Sequence, residues 1–119
     1  MKLLLASQYE QLLANGAQTR ARLEEGIDPG DHAPVVKLFT PDAACTWLLT
    51  ELDPEEPDIA FGLCDLGVGC PEIGSVRLSE LEALRGRAGL PVERDRFFRA
   101  DRPLSAYAAE AAANGSITA

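Results

Sequence analysis

Eight carboxylates, and no lysine or arginine, lie between Lys37 and Arg77: Asp42, Glu51, Asp53, Glu55, Glu56, Asp58, Asp65 and Glu72. Such a run allows three chemistries. Oxygen ligands from Asp53, Glu55 and Asp58, with Asp65 further on, can hold a hard cation such as Mg²⁺ or Ca²⁺. A carboxylate pair beside a pocket can act as acid and base in hydrolysis. A shared negative field can instead attract a basic surface while repelling nucleic acid. No calcium-loop spacing is present, and Pro54 and Pro57 place residues 53–58 at a hairpin tip, where charges stay solvated. The preferred reading is a non-enzymatic protein-binding factor: Glu51, Asp53, Glu55, Glu56 and Asp58 meet a basic protein surface, with no cofactor and no metal. A small carboxylate-dependent, metal-using hydrolase is the alternative.

Other reactive side chains are few. Cys64, Cys70 and His32 suggest a zinc site, but five residues separate the cysteines and a fourth ligand is missing. Cys45 and Cys64 read instead as small apolar residues in or beside strands. A serine or cysteine nucleophile needs a positioned base, and the one histidine falls in a turn-like linker. Gly62, Gly67 and Gly69 surround Asp65, which would repel a phosphate, and no Lys-Ser or Lys-Thr follows, so they read as turn and bulge glycines. Arg85, Arg87, Arg94, Arg96, Arg99 and Arg102, with Phe97 and Phe98 among them, resemble a single-strand binding surface. The interspersed Glu93, Asp95 and Asp101 favour pairing of these arginines with the acidic strands, inside the fold or across a self-association interface.

The charge is lopsided: residues 1–40 carry −1, the central run −8 and residues 76–119 +1, for a net of −8. At 119 residues with 46% apolar and 25% charged side chains, the chain fits one domain, residues 1–119, burying roughly two-thirds of its unfolded surface. Three cysteines, no leader-like segment and no long apolar run point to a cytoplasmic protein with no membrane contact.

These side chains need elements to hold them. Leu5, Tyr9, Leu12 and Leu13 share a helix face, with Ser7 and Glu10 as a capping box; the helix ends at Asn15-Gly16 or resumes to Gly26. Residues 35–40, 46–52 and 59–66 read as strands, joined by turns at 41–44 and 53–58. If residues 52 and 59 face each other, Leu48, Thr50, Leu52, Ile59, Phe61 and Leu63 form the core face, while Trp47, Leu49 and Cys64 point away. On that outer face Trp47 and Leu49 offer an apolar patch, so Trp47 joins the partner-binding residues, and a regulatory or assembly module is a further alternative; a homodimer is compatible with it. A strand at 73–78, a helix at 80–85 boxed by Ser79 and Glu82, a strand at 91–98 and a helix at 104–113 complete the chain. The expected class is α+β: an antiparallel β-meander of four to five strands packed against two or three helices.

The blocks Val35-Val36-Lys37-Leu38-Phe39-Thr40-Pro41-Asp42 and Thr46-Trp47-Leu48-Leu49-Thr50-Glu51-Leu52-Asp53-Pro54 resemble the DUF2958 family of small bacterial proteins of unknown function. The likeness continues through residues 58–67, Pro71-Glu72, 78–82 and 90–95, with Cys70 and Ser75 standing where the family suggests aromatic residues. The resemblance implies a small cytoplasmic protein often carried on mobile elements, hence an anti-defence (anti-restriction or anti-CRISPR) factor or a conjugation accessory protein, with a nucleic-acid-binding protein as partner. No reaction comes with it.

Overall fold

A computed structural model describes residues 3–119. The elements are α1 (Ala6–Glu24), β1 (Val36–Phe39), β2 (Thr46–Leu52), β3 (Ile59–Asp65), β4 (Glu72–Arg77), α2 (Leu78–Ala83), β5 (Glu93–Arg94) and α3 (Leu104–Asn114). All strands pair antiparallel in one sheet of order β4-β3-β2-β1-β5. The α+β meander with three helices is thus as the sequence suggests. Among the described residues no helix is long and apolar enough to cross a membrane.

Side-chain oxygens close both central hairpins. The Cys45 amide donates to Thr40 Oγ1 (3.0 Å) in the first turn. In the second, the Glu55 amide donates to Asp53 Oδ1 (2.9 Å) and the Asp53 amide to the Ile59 carbonyl (2.9 Å). Thr46 to Leu49 pair with Asp65 to Gly62, in the expected register, but beyond them Glu51 faces Phe61 and Leu52 faces Ala60. Thr50 is the extra residue of a β-bulge, its hydroxyl donating to the Phe61 carbonyl (3.2 Å).

The bulge corrects the expected faces, because side chains before and after it fall out of step. Trp47, Leu49, Leu52 and Ala60 join Leu12, Leu38, Leu78 and Leu81 in one core. Leu48 and Leu63 pack on the opposite face against Leu104, Tyr107 and Ala111 of α3. Both faces of β2 are therefore covered. Trp47 is 2% exposed and Leu49 fully buried, so the expected apolar patch is core and Trp47 offers no partner surface.

α1 runs through Asn15-Gly16 without a break. Pairing of β1 with β2 reaches only Leu49, leaving the next β2 carbonyls open on that side. Asn15 Nδ2 donates to one of them, Thr50 O (2.9 Å), and Gly16 lets the helix approach the Leu52 carbonyl. The helix ends instead at Gly26, whose φ of 72° places it in the left-handed region. Neither expected capping box forms. At α1 the Leu5 amide donates to Gln8 Oε1 (3.0 Å). At α2 the donors of Ser79 turn to Asp58 across the sheet. β5 is shorter than residues 91–98, because Asp95 Oδ1 accepts the Phe97 amide (2.9 Å) and turns the chain away from β1.

Two members of the acidic run are structural latches. Asp65, 2% exposed, accepts the amides of Gly67 and Ile117 (both 2.9 Å). Asp42 Oδ2 accepts the amides of Ala88 (2.6 Å) and Leu90 (3.2 Å).

Candidate functional site

The bulge at Thr50 carries Glu51 to the face it shares with its cross-strand neighbours Phe61 and Ser75. The second half of α1 stands beside that row, presenting Gly16, Thr19, Arg20 and Leu23 at helical spacing, and Pro29-Gly30 closes one end. Together they enclose a bay of about 450 Å³, with Ile59 and Phe61 on its floor and Asp53-Pro54 at its rim.

Glu51 is half-buried in this bay. Burial pushes its carboxyl above the usual glutamate range, opposed by the hydrogen bond from Thr19 and by nearby His32. Thr19 Oγ1 donates to Glu51 Oε1 (3.2 Å) and lies 3.3 Å from His32 Nε2. A hydroxyl that has given its one proton to the carboxylate can only accept from the ring, so in this arrangement His32 Nε2–H is the donor to Thr19. The chain Glu51–Thr19–His32 therefore fixes the carboxylate and leaves its remaining lone pairs for a donor entering the bay.

The other hairpin carboxylates are held by two arginines. Arg20 bridges Asp53 (3.2 Å) and Glu55 (2.7 Å); Arg77 bridges Glu56 (3.0 Å) and Asp58 (3.6 Å). Neither belongs to the late cluster expected to do this. In that cluster Arg102 pairs with Asp101 (3.2 Å) and Glu110 (3.1 Å) and lies over the Tyr107 ring. Arg94 donates to the Leu3 carbonyl. Each bridging guanidinium neutralises one of two carboxylates, so the hairpin keeps a residual negative charge.

Asp58 acts as a cap borrowed from another element. Its Oδ1 accepts the Ser79 amide (2.9 Å), Oδ2 accepts the Ser79 hydroxyl (2.7 Å), and its carbonyl accepts the Leu78 amide (2.8 Å). The Ser79 hydroxyl first, then its amide and Arg77, hold the carboxyl below the usual aspartate range. A depressed folded pKa contributes stability above the unfolded value that is lost as pH falls through the folded one. Asp58→Ala is therefore expected to lower the melting temperature at neutral pH, with the gap to the parent protein narrowing below the usual aspartate range. Melting curves at several pH values check it; a gap independent of pH would contradict the capping role.

The structure thus brings Glu51 and Asp53 to the bay, places Glu55 above it on Arg20, and puts Glu56 and Asp58 with Arg77 and α2. The expected cation group of Asp53, Glu55, Asp58 and Asp65 is dispersed. Among the described residues no group of three or more His, Cys, Asp or Glu is placed to hold a metal ion. Cys45 and Cys64 are half-buried, Cys70 is exposed, all three are free thiols, and burial pushes the Cys64 thiol up. Phe61, expected in the core, is 37% exposed on the bay floor. Thr19, Arg20 and Ser75 were not read as site residues in the sequence; for the two on α1, the recurrence of Gly16, Arg20 and Leu23 four and three apart was the available signal.

Residues 3–118, almost the whole chain, match the family model described as protein of unknown function, DUF2958. No curated protein and no solved structure matches.

Proposed function

We propose, for a chain that belongs to the DUF2958 family and so comes with no assigned reaction, a non-enzymatic binding role: the bay and its acidic rim receive a basic, partly apolar segment of a protein partner. The observation that carries this reading is Glu51, a carboxylate kept half out of water in the wall of an apolar-floored bay. Within the fold, burial costs the charged form more than Thr19 and His32 return, whereas an entering guanidinium or ammonium would compensate it through charge-assisted hydrogen bonds. Five carboxylates on or beside the hairpin against two bridging arginines leave a net −3 to steer such a partner. The mobile-element setting implied by the family resemblance makes the basic working surface of a nucleic-acid-handling protein, as in a defence or conjugation system, the candidate partner class.

Glu51→Gln tests the role by moving stability and binding in opposite directions. Removing the desolvated charge should stabilise the fold at neutral pH. A raised folded pKa means the penalty applies as pH rises through that pKa and disappears below the usual glutamate value, so the two proteins should converge in acid. In NMR titrations with short peptides containing arginine and phenylalanine, shifts should centre on Glu51, Phe61 and Ser75 and weaken with salt. The substitution should weaken that binding by about tenfold or more. Peptides that leave the bay unperturbed, or bind equally well to the variant, would remove the reading.

A further inference from the structure

We propose that the occupant of the bay is the 95–99 turn of a second copy of this chain, with Phe97 entering above Phe61 and Arg96 and Arg99 reaching Glu51 and the Asp53 rim. This rests on the reading of the bay as a site for a basic, partly apolar segment, and takes a second copy of this chain, rather than a nucleic-acid-handling protein, as the source of that segment.

Phe97 is 89% exposed, whereas the adjacent Phe98 packs toward Tyr107 with ring centroids 6.2 Å apart. The exposed ring is not on a frayed segment. Asp95 Oδ1 accepts the Phe97 amide (2.9 Å), Lys37 holds Asp95 at 3.5 Å, and Arg99 Nη1 donates to the Phe98 carbonyl (2.8 Å). A phenyl ring kept in water on a hydrogen-bonded turn is already ordered for insertion, so little conformational freedom is lost on binding. Arg96 and Arg99 form no ion pair with a carboxylate among the described residues. The turn is therefore cationic and aromatic, and the bay acidic and apolar. At about 450 Å³ the bay lies within the ~300–1,000 Å³ range of ligand cavities and has room for an aromatic ring.

The two surfaces cannot meet within one chain. The turn follows β5 at one edge of the sheet, while the bay reaches Ser75 in β4 at the other edge. Contact between them is head-to-tail, which either closes into a ring or extends.

Molar mass by sedimentation should rise with concentration and fall with added salt. Phe97→Ala removes the inserted ring and Ser75→Arg obstructs the receiving bay; each should weaken association by at least about tenfold. Both positions are exposed, so melting curves should match the parent. Mixing the two variants should restore one contact and give a one-to-one complex that grows no further, because each retains the half the other lacks. A parent chain monomeric at all concentrations, or a Phe97→Ala chain that associates like the parent, would overturn the proposal. If the monomeric chain's bay still shifts with arginine–phenylalanine peptides, only the second copy as occupant fails; a bay silent to those peptides takes the underlying site reading with it.

Discussion

Trp47→Ala is expected to cost about 3–5 kcal/mol of folding stability, a large share of what a domain of this size has. The indole is 2% exposed and sits with Leu12, Leu38 and Leu49, so its removal loses transfer energy and leaves a cavity that strand-held neighbours cannot fill. It is the chain's single tryptophan, so the variant must be followed by far-UV circular dichroism during urea unfolding. A surface patch at this position would instead make the substitution nearly neutral, within about 0.5 kcal/mol. A neutral result would mean that β2 presents its other face to α1 and would restore Trp47 to the partner surface.

That contrast marks where the sequence was legible. The hairpins, the helices at both ends and the α+β class followed from Pro41, from the Pro54 and Pro57 turn, and from Gly26 and Gly115 as helix stops. The faces of β2 did not follow. Trp47, Leu48 and Leu49 are consecutive and all buried, because α1 covers one side of the sheet and α3 the other. A strand covered on both faces carries no alternation to read. The bulge then depends on contacts distant in the chain: Asn15 donating to Thr50 O, and Gly62 opposite Leu49, where an added Cβ would lie 2.0 Å from the Leu48 carbonyl oxygen.

The site divides in the same way. Glu51 and Asp53 were visible as members of an unusual acidic run, since composition alone marks them. Their partners were not, because Arg20 lies in a helix far earlier in the chain and Thr19 has no chemistry of its own until it stands between Glu51 and His32. The late arginines were assigned to the acidic strands, inside the fold or across a self-association interface, because opposite charges are expected to meet; only the first branch is answered within one chain. The chain uses Arg20 and Arg77 for that purpose and leaves Arg96 and Arg99 turned to their own backbone or to water. Net charge by segment therefore predicted attraction, but not which guanidiniums would supply it.

Gly16→Ala should destabilise the fold even though alanine is the better helix former. In an exposed helix interior the change gains up to about 1 kcal/mol. Here the new Cβ would stand 1.8 Å from the Leu52 carbonyl oxygen and 3.0 Å from its carbon. Those are backbone atoms of a strand fixed by Leu52 pairing with Ala60, so the helix rather than the strand has to move. The overpacking penalty of about 1–3 kcal/mol should leave a net loss, read as a lower denaturant midpoint with little change in slope. The displacement should also reach the bay. Thr19 lies less than one turn further along the same helix, and moving it lengthens its 3.2 Å bond to Glu51 and loosens the carboxylate. Peptide affinity should therefore fall with stability in Gly16→Ala, whereas in Glu51→Gln it falls as stability rises. A stabilised Gly16→Ala protein would show that α1 does not approach β2 this closely and would remove the wall on which the bay depends.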